Sequence, residues 1–226
     1  DFIRESVIAG RTVGGSSAIN YLVAARPSRG FHDKLVELTE DESFSYESFL
    51  QFYKTTETFN GVTQSPNERG TNGRISITQL SGAGTEFSEW MSLVTGKPSL
   101  LDYNTGDDVV SSPYIQQTIT TSFERSFTIN YIYENGKLID GITLLTDSQC
   151  ERIVFDGTRA IGVEIGDTIH LGDNIILSSG IESSCILERS GIGSRRLLEE
   201  LDIDVVVDNE HVGEGLANHG GGYLVF

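Results

Sequence analysis

Apolar residues recur at helical spacing in residues 45–57, where Phe49, Leu50, Phe52 and Tyr53 share one face behind the opening Ser45-Tyr46-Glu47-Ser48. Residues 30–38 form an earlier helical stretch and 87–94 a later, shorter one. Elsewhere the pattern shifts to strands. Residues 73–77 and 115–121 alternate, residues 142–145 and 150–156 read as strands, and Asp156-Gly157 turns the chain into 160–165 as a hairpin. Residues 173–177 read as a buried strand ending at Ser178-Ser179-Gly180. Residues 183–189 are helical and closed by Gly191-Ile192-Gly193. Ser194 caps a further helix through Leu201, and 204–208 is a short apolar strand. Residues 60–72 and 101–112 read as loops. This predicts an α/β or α+β mixture with many short strands, not a bundle or a sandwich.

At 226 residues the chain is one large domain or two small ones. Its formal charge of −17 argues against unaided binding to nucleic acid or to an anionic membrane, both of which are polyanions. No run approaches the roughly 18 apolar residues of a membrane helix. The chain opens at Asp1 without an initiator Met and stops at Phe226 inside an apolar run, so it reads as a piece of a longer polypeptide. Cys150 and Cys185 are too few for a disulfide framework and too far apart for a metal site, and are expected as buried thiols.

The sharpest local feature is the run Gly10-Arg11-Thr12-Val13-Gly14-Gly15-Ser16-Ser17-Ala18-Ile19-Asn20. Adjacent glycines let backbone approach a ligand and reach positive φ, and Ser16 and Ser17 add donors. Together they suit a phosphate or pyrophosphate. An ordinary glycine turn would carry the same residues. The run is neither GxGxxG nor a Walker loop, since no Lys follows Gly15.

Residues 10–33 resemble the first signature of the glucose–methanol–choline flavoprotein oxidoreductases at every constrained position, including Gly14-Gly15-Ser16-Ser17, Asn20, Ala24, Pro27 and Asp33. Residues 179–193 resemble the second signature through Ser183-Ser184, Ile186-Leu187 and Ser190-Gly191-Ile192-Gly193. Gly180 is one residue off the usual spacing, and Cys185 stands where Pro is common. Residues 205–219 resemble a third family segment, with Gly215 for the usual Asn and Asn218 for the usual Asp. Residues 152–163 resemble the hairpin before the second signature.

The resemblance implies part of a Rossmann-like FAD-binding domain plus the beginning of a substrate-binding region. Residues 1–33 and 115–226 would be flavin-domain segments, the latter leading into the substrate domain, and 34–114 a helical and loop insertion opening the substrate region. It implies FAD-dependent oxidation of an alcohol, with hydride passing to flavin N5 and oxygen or another acceptor reoxidising the flavin. Arg11, Val13, Gly14, Gly15, Ser16 and Asn20 would line the cofactor. Cys150 would stand near the adenine, Ser179 and Gly180 would end a strand near the adenosine half, and Asn218 and His219 would approach the flavin. Asn218 and His219 could instead pin a turn. Ile19 takes the position where some members attach flavin to a His, so the FAD is expected to be non-covalent.

The family's GxGxxG and its catalytic His are expected outside residues 1–226, which would leave this segment inactive alone. His32, His170 and His211 are expected at the surface. A rival reading keeps the same fold as a structural or packaging protein, as in the family members associated with giant-virus particles. The resemblance leaves open a homo-oligomer and a secreted or virion-associated location.

Overall fold

Ser28 caps the first long helix, α1 (Arg29–Thr39), accepting from the Phe31 N–H at 3.3 Å. It does so in a computed structural model that describes residues 8–81, 84–107, 109 and 111–217. The chain divides into two compact units, Asp1–Ile142 and Thr143–Phe226.

In the first unit, Ser45 caps α2 (Tyr46–Thr56) through the Ser48 N–H at 3.3 Å. The two helices meet over His32, which is 2% exposed and therefore not the surface residue expected. Its Nδ1 lies 2.7 Å from the Phe44 carbonyl and its Nε2 lies 2.9 Å from the Tyr53 hydroxyl. The rings of Phe31, Tyr46 and Phe49 close around it. Both ring nitrogens are satisfied, which is what lets an imidazole stand inside. Beyond α2, β1 (Glu57–Asn60) pairs in parallel with β2 (Ile75–Ser81). Helix α3 (Thr85–Thr95) follows, and β3 (Tyr114–Gln117) runs antiparallel to β2. A small hairpin, β4 (Tyr133–Glu134) with β5 (Lys137–Leu138), ends the unit.

The centre of this unit is polar. Glu57, Arg69, Asp102, Asn104 and Gln116 are all buried. The Glu57 carboxylate meets Arg26 at 2.6 Å and Arg69 at 3.3 Å, and also accepts the Gly70 N–H at 2.9 Å. Arg69 lies 3.5 Å from Asp102 and donates to Gln116 at 3.0 Å. Gln116 donates to Asp102 at 2.7 Å and accepts from Asn104 at 2.7 Å. Two cations and two anions cancel, so each buried charge is compensated. The Arg69 guanidinium also lies 3.8 Å over the Phe59 ring.

In the second unit, β6 (Arg152–Asp156), β7 (Arg159–Ile165) and β8 (Thr168–Leu171) form an antiparallel meander. The first turn is the hairpin the sequence predicts, and the third strand is an addition to it. Helix α4 (Glu182–Arg189) follows, then β9 (Ile192–Gly193), α5 (Arg195–Glu200) and β10 (Val207–Asp208), which pairs in parallel with β9. Ile153, Ile186 and Leu198 are the buried apolar side chains here among the described residues.

Two expected strands do not form. Residues 142–145 and 173–177 make no ladder among the described residues, and Ile176 is 86% exposed. An apolar run specifies burial, but a strand also needs a neighbour's backbone to pair with. Ser194 stands at the start of α5 as expected, yet its hydroxyl makes no capping bond. Asp208 takes that role, accepting the Arg195 N–H at 3.0 Å. The cysteines are not two buried thiols: Cys185 is exposed and Cys150 half-buried.

Candidate cofactor site

Residues 10–20 fold into a tight loop closed by their own hydrogen bonds. The Gly15 N–H donates to the Thr12 carbonyl at 2.9 Å, and the Gly10 N–H donates to Ser16 Oγ at 3.1 Å. Gly14 and Gly15 hold φ of 90° and 53°, and a single 3₁₀ turn, Gly15–Ala18, carries the chain to Asn20. The glycines do different work. A Cβ on Gly10 would lie 2.3 Å from the Gly15 carbonyl oxygen, and one on Gly14 would lie 2.7 Å from the Phe127 ring. A Cβ on Gly15 would meet nothing within 4 Å. That side of the loop is open.

Among the described residues, no acceptor faces the N–H groups of Gly14 and Ser16. Successive N–H groups around left-handed glycines form a concavity suited to an anion. Arg11 and Ser16 are exposed, Val13, Gly14 and Gly15 half-buried, and Asn20 exposed. The structure therefore brings Gly14, Gly15, Ser16 and Asn20 together on one short loop, with an open face where a ligand's phosphates can approach backbone.

Sequence reasoning missed the residues that hold this loop from behind. Arg125 donates to Asn20 Oδ1 at 2.7 Å, to the Asn20 carbonyl at 2.9 Å and to the Ser17 carbonyl at 3.1 Å. Thr128 Oγ1 lies 2.9 Å from Ser17 Oγ and donates to the Gly14 carbonyl at 3.3 Å. No local pattern marks residues that act across more than a hundred positions of sequence.

In the second unit, Cys150 Sγ lies 3.8 Å from the Arg152 carbonyl. Burial pushes its thiol up. Arg189 opposes that rise, and Glu151 adds to it. Ser179 and Gly180 do not end a strand. They form the exposed turn that opens α4, where the Ser179 N–H donates to Ser183 Oγ at 3.1 Å and Gly180 takes φ of 59°. Asn218 and His219 lie outside the described residues. Among the described residues, no His, Cys, Asp and Glu side chains gather in a group able to hold a metal. None of their helices is long and apolar enough to cross a membrane.

Residues 3–220 match the family model described as GMC oxidoreductase. The chain is 33% identical over 222 residues to an oxygen-dependent choline dehydrogenase of Pseudomonas putida, covering 93% of this chain and 39% of that protein. It thus spans about two-fifths of the length of that relative. The fold matches a pyridoxine 4-oxidase from Mesorbium loti with a TM-score of 0.76 at 20% identity, over 88% of this chain and 40% of the oxidase. It also matches an FAD-dependent oxidoreductase from Chaetomium thermophilum with a TM-score of 0.71 at 26% identity, over 89% of this chain and 38% of the other. The expected α/β fold of Rossmann-like FAD-binding type is borne out.

Proposed function

Because the chain belongs to the GMC oxidoreductase family, we propose that it supplies part of the FAD-binding framework of an enzyme that oxidises the CH–OH group of a small alcohol. The observation that carries this reading is the loop at Gly14, Gly15 and Ser16. Its open Gly15 side and its two N–H groups, which find no acceptor among the described residues, fit a pyrophosphate in contact with backbone. Gly14, Gly15 and Ser16 would hold that pyrophosphate, and Asn20 would reach the flavin. Arg11 and Val13 would flank the cofactor, and Cys150, Ser179, Gly180, Asn218 and His219 are carried by the family resemblance alone. When bound, FAD supplies the hydride acceptor for alcohol oxidation, and oxygen or another acceptor would reoxidise it. This chain's part is to bind and orient.

Ile19, 49% exposed beside Asn20, has no atom able to form a bond to the flavin, so the cofactor would be held without a covalent link there. The test is the visible spectrum of the protein purified at its full natural length. A flavin absorption band that bleaches on anaerobic addition of a primary alcohol is the expected result. A colourless protein that stays colourless after incubation with FAD would overturn the reading.

A further inference from the structure

The side chain of Asn20 is held in one orientation. Its Oδ1 receives two donors, the Leu22 N–H at 3.1 Å and the Arg125 guanidinium at 2.7 Å. A guanidinium and a backbone N–H both only donate, so the carboxamide must place its oxygen between them. The Nδ2 group then points the other way, and among the described residues it meets no acceptor. Asn20 is exposed, so this amide presents two donors to whatever lies against the loop.

Arg125 is itself anchored. It bridges antiparallel to Ile119 at the base of a short reversal, and the neighbouring Ser126 N–H donates to the Thr118 carbonyl at 2.8 Å. Ser126 is 1% exposed, and its hydroxyl accepts the Ser76 N–H of β2 at 2.8 Å. The backbone at Arg125 is therefore fixed to the sheet, and the guanidinium grips three oxygens of the loop. Phe127 fills the space beside Gly14, and Thr128 holds Ser17.

We propose that Arg125 is a positioning residue for the cofactor. It locks the Asn20 carboxamide with its oxygen inward, so that the Nδ2 donors face the bound flavin cofactor. This rests on the proposed cofactor site and adds what fixes its donor. Without Arg125, Asn20 would keep only the longer Leu22 N–H bond of the two that set its orientation, and the Ser17 carbonyl would lose a charge-assisted partner.

The experiment uses the protein at its full natural length, stripped of flavin and titrated with FAD by fluorescence. Arg125→Ala should weaken binding about ten- to hundredfold, the range of a lost charged hydrogen bond. Millimolar guanidinium should restore most of the loss, whereas general damage to the fold would not respond. Asn20→Asp keeps an acceptor for Arg125 and Leu22 but removes the outward donors. It should leave the apoprotein's Tm at or above wild type while weakening FAD binding by a similar factor. Unchanged FAD affinity in Asn20→Asp would overturn the proposal even if Arg125→Ala does not fold, as would a loss in Arg125→Ala that guanidinium cannot restore. Wild-type protein that binds no FAD would overturn the cofactor reading and this inference together. Wild-type binding with unaffected variants would sink this inference alone.

Discussion

The Ser190 hydroxyl accepts the buried Ile153 N–H at 2.8 Å while donating to the Ile186 carbonyl at 2.5 Å. One side chain in the second signature thus ties the end of α4 to the first strand of the meander. Ser190→Ala leaves a buried N–H without an acceptor. It should cost about 1–3 kcal/mol, read as a lowered midpoint in urea unfolding. A midpoint unchanged from wild type would show that water reaches this N–H.

The polar centre of the first unit makes a stronger demand. Glu57→Gln removes one of two anions facing Arg26 and Arg69 and leaves a buried excess of positive charge. The expected loss is about 3–5 kcal/mol, the range for breaking one side of a buried pair. Asp102→Asn should cost a comparable amount through Arg69 and Gln116. The double variant should cost more than the sum, because it leaves Arg69 with neither of the anions it meets and relieves the repulsion between Glu57 and Asp102 only once.

Tyr46 gives the fold an alkaline limit. Burial, with the Glu68 carboxylate 3.1 Å from its hydroxyl, pushes the phenol up to about 12. An unfolded tyrosine ionises near 10, so the unfolded state sheds this proton first as pH rises. The contribution is complete below about pH 10 and is lost as pH climbs to about 12, at about 1.4 kcal/mol per pH unit for one proton. Tyr46→Phe should show a shallower decline of stability across that window. An equal slope in both proteins would place the Tyr46 hydroxyl in contact with water.

The glycines of the loop should separate cofactor binding from folding. Gly10→Ala drives a methyl into the Gly15 carbonyl and should lower the Tm of the apoprotein as well as abolish flavin retention. In Gly15→Val the Cβ meets nothing within 4 Å, though a branched residue at φ of 53° is strained by about 1–2 kcal/mol. Its main effect should be a loss of flavin occupancy after purification. Normal occupancy in the Gly15 variant would mean that the open side of the loop is not where the cofactor lies.

Acid precipitation should release free FAD into the supernatant, since Ile19 offers no attachment atom. Colour retained in the pellet would reveal a covalent link elsewhere in the protein.

The helices were legible because their signals are local. Ser45 and the apolar face of Phe49 and Tyr53 lie within one window, as do Asp156 and Gly157 at the hairpin. The glycine–serine loop was legible for the same reason, and its match to a family signature supplied a ligand that physics alone left open. The polar centre was not legible. Asp102, Asn104 and Gln116 carry residue types ordinarily assigned to the surface, and only their mutual hydrogen bonds let them stay buried. His32 was hidden in the same way. The strand expected at residues 173–177 failed for the opposite reason: its composition was right, but pairing is a property of two segments. Arg125 and Thr128 have nothing in their spacing to connect them to residues 14–20.

That connection has a consequence for how the protein is made. The loop leaves the ribosome more than a hundred residues before the segment that clamps it, since Ser17 and Thr128 are 111 positions apart. At roughly 5–20 residues per second, the delay is on the order of ten seconds. During that interval Gly14 and Gly15 have only their own short-range hydrogen bonds to hold their shape. A nascent chain stalled before Arg125 should therefore display this loop unclamped, open to chaperones and unable to retain flavin, until translation delivers its partner.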